Sequence, residues 1–131
     1  MNRLKIFRFS LYSAIVSIYI LAIIPLEIAQ IATPLWDKTN HFIAFFVLSI
    51  LIKLSYNIKS VKIFIYLLGY GVFIELSQLL LTTTRFGEIN DVIADIIGTT
   101  IGLIVIYLFR FIKYNVIDDK RNNNDTTKQK G

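Results

Sequence analysis

Asp91-Val92-Ile93-Ala94-Asp95-Ile96-Ile97-Gly98 places two carboxylates one helical turn apart at the head of an apolar run that continues to about Ile112. The run is long enough for a bilayer, and an acid at membrane depth costs about 2.5–3.5 kcal/mol on insertion scales. Two acids in that position mark either a tightly paired structural element or a functional site. The rest of the chain is then read as the scaffold that brings other polar groups to this turn.

Composition points the same way. Of the 131 residues 55% are hydrophobic, and the mean hydropathy of +0.62 is too high for an ordinary soluble domain, so the chain reads as one integral membrane domain. The absence of cysteine excludes disulfides, thiolate zinc sites and cysteine nucleophiles. The net charge of +5 is spread among apolar segments, mostly beside their ends, and no nucleic-acid partner is expected.

Three more apolar runs precede the one that starts at Asp91. The first, from Phe9 to about Leu26, follows the basic Met1-Asn2-Arg3-Leu4-Lys5-Ile6-Phe7-Arg8. Its length of about eighteen residues suits a ~30 Å hydrocarbon core and exceeds a signal-peptide core of about 7 to 15 residues, so it is expected to be a retained helix. Pro25 lies near its far end, and an irregular segment is expected through Pro34. Runs from about Asn40 to Tyr56 and from about Val61 to Leu81 follow, joined by Asn57-Ile58-Lys59-Ser60. Beyond Tyr114 the composition turns to Asn, Asp, Lys, Thr and Gln, which buries too little surface to fold. The reading is an all-α polytopic protein: a four-helix membrane domain over residues 1–113 and a disordered polar cytoplasmic tail over 114–131.

The charges orient it. Arg3, Lys5, Arg8, Lys53, Lys59, Lys62, Arg110, Lys113, Lys120, Arg121, Lys128 and Lys130 fall on one side of a four-span topology, and only Lys38 and Arg85 on the other. By the positive-inside rule both termini are cytoplasmic and the protein is a multi-pass resident of the cytoplasmic membrane. The acids Glu27, Asp37, Glu75, Glu88, Asp91 and Asp95 gather on the outer side.

Each outer polar residue has a plain reading beside a functional one. Asp37 or Thr39 can cap the second helix, and His41, the single histidine, can sit at the interface with one hydrogen bond, although histidine also suits proton transfer and metal binding. Glu75 and Gln78 are three apart on one helix face, with Glu75 about six residues, or roughly 9 Å, inside the end at Leu81. A carboxylate at that depth has to be paired, hydrated or protonated, and an interhelical clamp through Gln78 is the simple alternative. Arg85 can grip a carboxylate or phosphate through two bonds, or pair with Glu88 or Asp91. Asp91 suits the helix start by itself, whereas Asp95 lies too deep for that. Gly98 and Gly102 have the spacing of close helix packing.

In order and spacing, Asp37-Lys38-x-x-His41-Phe42, Gly71-x-x-x-Glu75-x-x-Gln78, Arg85 and Asp91-x-x-x-Asp95-x-x-Gly98 with Gly102 resemble the VanZ-like family of small bacterial membrane proteins. The resemblance runs from about Asp37 to Gly102. It implies a polytopic cell-envelope protein, in a family that takes its name from a teicoplanin-resistance protein. One departure stands out: Asp95 occupies a position where the family usually carries Asn.

Three functions fit these residues. The first is a protein that binds an envelope precursor, lipid or (glyco)peptide at its outer face and contributes to teicoplanin or lipoglycopeptide resistance. Asp37, Lys38, Gln78 and Arg85 are then the candidate ligand-binding residues. The second is an enzyme acting on a lipid-linked or cell-wall precursor, with His41, Glu75, Asp91 and Asp95 as candidate catalytic residues. The third is proton or small-solute transport along Glu75, Gln78 and Asp95. No cofactor is required by the sequence. A divalent cation is compatible with it, and Glu75, Asp91, Asp95 and His41 are the candidate ligands, an oxygen-rich set with one imidazole. Oligomeric state is left open, and the expected partners are the lipid bilayer and, in the binding reading, a lipid-linked envelope precursor or glycopeptide.

The topology is testable because the chain has no cysteine of its own. A cysteine introduced at Thr83 is expected to react with a membrane-impermeant maleimide on intact cells. Labelling only after lysis would invert the orientation.

Overall fold

The computed structural model describes residues 2–32, 37–84 and 87–129. The described residues form five helices: α1 (Arg3–Ile23), α2 (Leu26–Ala32), α3 (Asp37–Tyr56), α4 (Ser60–Leu81) and α5 (Ile89–Gln129). Four are long and apolar enough to cross a membrane, namely α1, α3, α4 and the Ile89–Arg121 part of α5. At 1.5 Å per residue, α1, α3 and α4 measure about 30–33 Å, the thickness of a hydrocarbon core.

Two segments differ from the sequence reading. The stretch after Pro25 is a short helix, α2, rather than irregular chain, and the Pro25 carbonyl accepts its first bonds from the Ile28 and Ala29 N–H groups at 3.0 Å. Proline ends α1 because it has no N–H to continue the ladder, but its carbonyl can still start the next helix. The last helix does not stop near Lys113 but continues through Gln129, across most of the stretch expected to be a disordered tail. No Gly or Pro lies between Gly102 and Gly131, so nothing local interrupts the ladder once the membrane portion has formed it.

The molecule is arranged inside out relative to a soluble bundle. Phe73, Leu76 and Leu80 on α4 and Ile104, Tyr107 and Phe109 on α5 are exposed, whereas Ser49, Gln78, Asp95 and Thr99 are almost completely buried. In lipid this costs nothing for the apolar side chains and saves the polar ones from hydrocarbon.

The most extensive packing is between α3 and α5. It joins a buried stripe of His41, Phe45, Leu48 and Ser49 to one of Asp91, Asp95, Gly98, Thr99, Gly102 and Ile106. The glycines set how close the helices come. A Cβ at Gly98 would collide with the Phe42 carbonyl, and one at Gly102 with Ser49 Oγ and, at 2.6 Å, with the Phe46 carbonyl. Phe45 stacks on Tyr70 of α4 with ring centroids 5.9 Å apart, and the Tyr70 hydroxyl donates to the Ile15 carbonyl of α1 at 2.6 Å.

The end of the bundle opposite Asp91 is closed by Asn57 in a left-handed conformation (φ 47°), which terminates α3. Arg110 of α5 donates to Asn57 Oδ1 at 2.5 Å and to the Lys53 carbonyl at 3.2 Å, pinning α5 to the α3–α4 turn. Close packing and this pin fix the register that brings the polar residues together at the other end.

A methyl group therefore has opposite consequences at two glycines. Gly98→Ala is expected to destabilise the fold by about 1–3 kcal/mol through overpacking. Gly69→Ala, with nothing within 4 Å of its Cβ, should be neutral or stabilising by up to about 1 kcal/mol. Unfolding by SDS in mixed micelles measures both, and equal responses would contradict the α3–α5 seam.

Candidate functional site

The starts of α3 and α5, the last turns of α4 and the loop before α5 meet around His41. Asp37 and Asp91 lie in the first turns of α3 and α5, where partial positive charge from unpaired N–H groups favours a carboxylate. His41 and Asp95 stand one turn further in on the same two helices, which follows from their i, i+4 spacing. Glu75 comes from α4, opposite them.

His41 Nδ1 lies 2.9 Å from Asp95 Oδ1, with His41 7% and Asp95 1% exposed. With Asp95 ionised, and so only an acceptor, Nδ1 is the protonated nitrogen and Nε2 the free ring position. Nε2 is 3.9 Å from Glu75 Oε1. The other Glu75 oxygen, Oε2, accepts the backbone N–H of Glu88 at 2.7 Å, which fastens the loop before α5 to α4. Gly87 permits that approach, since a Cβ there would lie 2.8 Å from the Glu75 carbonyl oxygen.

Among the described residues, Glu75 Oε1 and Asp95 Oδ2 are buried side-chain oxygens with no hydrogen-bond partner. Asp95 Oδ2 occupies the room left by Gly71, whose hypothetical Cβ would be 2.5 Å away. Gly71 is thus the hole in α4 that admits a carboxylate from α5. Its signal in the sequence is a glycine one turn before Glu75 in an otherwise apolar helix.

Lys38 forms the rim. Its Nζ donates to Glu88 Oε2 at 2.7 Å and reaches Asp91 Oδ1 at 3.4 Å. The sequence offered Arg85 for those acids, whereas in the structure Lys38 meets them, and Arg85 lies outside the described residues. Asp91, 3% exposed, is therefore both a first-turn acid and an ion-pair partner. Gln78 is 1% exposed and donates from Nε2 to the Ala22 carbonyl of α1 at 3.1 Å, the clamp geometry rather than a projection toward His41. Glu27 stays exposed on α2.

The residues that could hold a metal differ from the set read in the sequence. Asp37, His41 and Asp91 offer donor atoms within 4.8 Å of one another. Neither Glu75 nor Asp95, two of the four sequence candidates, belongs to that group, and Asp37 does; Asp95 instead bonds His41 Nδ1. Sequence reasoning could not make that exchange, because spacing says which residues share a helix end but not which ring nitrogen faces which carboxylate.

A family model described as VanZ/LLP1 matches residues 3–110 of the chain. No curated protein and no solved structure matches it. The matched stretch contains every residue of the cluster.

If the imidazole and the carboxylate hold α3 to α5, removing both costs less than the two single losses together. A double-mutant cycle on His41→Ala and Asp95→Ala is expected to give a coupling energy of about 0.5–3 kcal/mol in mixed-micelle unfolding. Additive effects would remove the contact.

Proposed function

Because the chain belongs to the VanZ/LLP1 family, we propose that it is a multi-pass protein of the cytoplasmic membrane, with both termini cytoplasmic, that binds an envelope precursor, lipid or (glyco)peptide at its outer face. By holding that component it limits what teicoplanin or a lipoglycopeptide can reach. The observation that carries this reading is the buried, partnerless Glu75 Oε1 beside His41 Nε2. A buried acceptor left open is costly unless something fills it.

The charge of the site suggests the chemistry of the ligand. Among the described residues, Asp37, Glu75, Glu88, Asp91 and Asp95 gather with one cationic side chain, Lys38, an excess that favours an ammonium or other hydrogen-bond donor. Lys38 at the rim, with Arg85 in the adjoining loop, suits a phosphate on the same molecule. A ligand carrying both signs, as phosphorylated envelope lipids and precursors do, uses both halves.

One observation favours the enzyme reading as an alternative. Asp95 fixes the histidine tautomer and leaves Nε2 as a base, with Glu75 as its neighbour. Against it, the nearby hydroxyls of Ser77 and Thr82 donate to the Phe73 and Gln78 carbonyls of their own helix, so neither is presented as a nucleophile.

The two readings separate by substitution. In cells that produce the full chain and gain teicoplanin tolerance from it, Glu75→Gln should keep the tolerance within about twofold, whereas Lys38→Ala combined with Arg85→Ala should abolish it at equal membrane abundance. Loss of tolerance on Glu75→Gln alone would favour catalysis. A chain that confers no tolerance at all would remove the resistance role.

A further inference from the structure

Asp37, His41 and Asp91 lie at the mouth of α3 and α5 with one donor atom each inside a 4.8 Å circle. Two donors on the same ion are separated by at most twice the bond length, about 4.0–5.2 Å for bonds of 2.0–2.6 Å. The three are close enough for one cation to gather them, at the shorter bond lengths after small side-chain rotations. Acids and a histidine at helix ends are common without an ion, so proximity does not decide the matter.

Two independent features do. The first is the second side of the ring. His41 Nδ1 is committed to Asp95 Oδ1 at 2.9 Å, so the nitrogen left for a ligand is Nε2. A histidine that hands its other ring N–H to a carboxylate is how proteins hold a metal-binding imidazole in the correct tautomer and orientation. The second is Glu75. The residue is 8% exposed, and its Oε1 has no hydrogen-bond partner and stands 3.9 Å from His41 Nε2. That separation is too long for a hydrogen bond. It is, however, the distance of two donors sharing an ion, which span about 3–4.2 Å around a cation with 2.1 Å bonds.

We propose that Asp37, His41 Nε2, Asp91 and Glu75 Oε1 form a divalent-cation site, with Asp95 as the positioning residue behind the imidazole. This deepens the binding reading above by assigning the cluster a resident ion, and it rests on the same residues. One imidazole with three carboxylates and no sulfur suits Mn²⁺ or Zn²⁺, which accept both donor types, over Ca²⁺ or Cu(I). The ion also answers the charge excess that Lys38 leaves. Lys38 makes its short bond to Glu88 at 2.7 Å and stands farther from Asp91, at 3.4 Å, so it borders the site as a competing cation.

The rim lysine gives the experiment its direction. The untagged full chain, stripped with chelator and held in detergent micelles, is titrated with Mn²⁺ followed by electron paramagnetic resonance and with Zn²⁺ followed by calorimetry. One saturable equivalent of at least one of the two ions is expected. Asp95→Asn should weaken it about 10–100-fold without changing the stoichiometry, and Lys38→Met should tighten it several-fold. His41→Gln combined with Asp91→Asn should abolish it.

Absence of a saturable equivalent in the wild-type chain, with helical circular dichroism intact, would overturn the site, as would undiminished binding in the His41/Asp91 double variant. If that variant does not fold, the opposite shifts expected of Asp95→Asn and Lys38→Met decide, and two shifts of the same sign reject the proposal. The binding reading fails separately. A chain that binds no ion but loses tolerance with Lys38→Ala and Arg85→Ala keeps that reading, and a chain that binds the ion but confers no tolerance keeps only the site.

Discussion

Asp95 is a carboxylate that the membrane does not tolerate alone, and in this chain it is met by His41 across the α3–α5 seam. The contact requires the two helices to lie closer than ordinary side chains allow. Gly98 and Gly102 provide that closeness on α5, and Gly71 provides the space on α4 into which the second oxygen of Asp95 fits. A polar pair at the centre of the bundle thus accounts for three of the six glycines in the chain. The stacked Phe45 and Tyr70 fill the layer beneath it.

From that contact the remaining polar geometry follows in order. With α3 and α5 joined one turn inside their starts, their first-turn acids Asp37 and Asp91 come within 4.8 Å of each other and of a ring nitrogen. Glu75 is brought against the other ring nitrogen by α4, and its second oxygen ties down the loop that leads into α5. Lys38 then spans Glu88 and Asp91 at the surface. The cluster is layered along the helices: Asp95 and Glu75 on the histidine, the first-turn acids Asp37 and Asp91 at the helix starts, and Lys38 at the rim.

The four spans were legible because bilayer-length apolar runs leave little freedom, and the residues of the cluster were legible because acids and a histidine are rare in such runs. The apolar run of α3 starts only near Asn40, since Asp37 and Lys38 lower the hydropathy, and the helix start was read instead from Asp37 as a candidate cap, which the structure places in the first turn. The seven residues of α2 are too few for any hydropathy window. The helical continuation to Gln129 was hidden because composition reports the lack of a core and not the lack of a helix breaker. At the site, spacing put Asp91 and Asp95 on one face but could not show that Asp95 bonds the imidazole while Asp91 pairs with Lys38. Nor could it show that Gln78 turns to Ala22, or that Lys38 meets Glu88.

The uninterrupted α5 adds a mechanical property. From Asp95 to Gln129 it runs without glycine other than Gly98 and Gly102 and without proline, a rod of about 51 Å at 1.5 Å per residue. Arg110, held to Asn57 and to the Lys53 carbonyl, lies partway along it and serves as a fulcrum. A tilt of about 5° about that point moves the far end by roughly 2–3 Å over the ~29 Å beyond it. Events among the acids at one membrane face therefore have a stiff arm through which to be felt at the other.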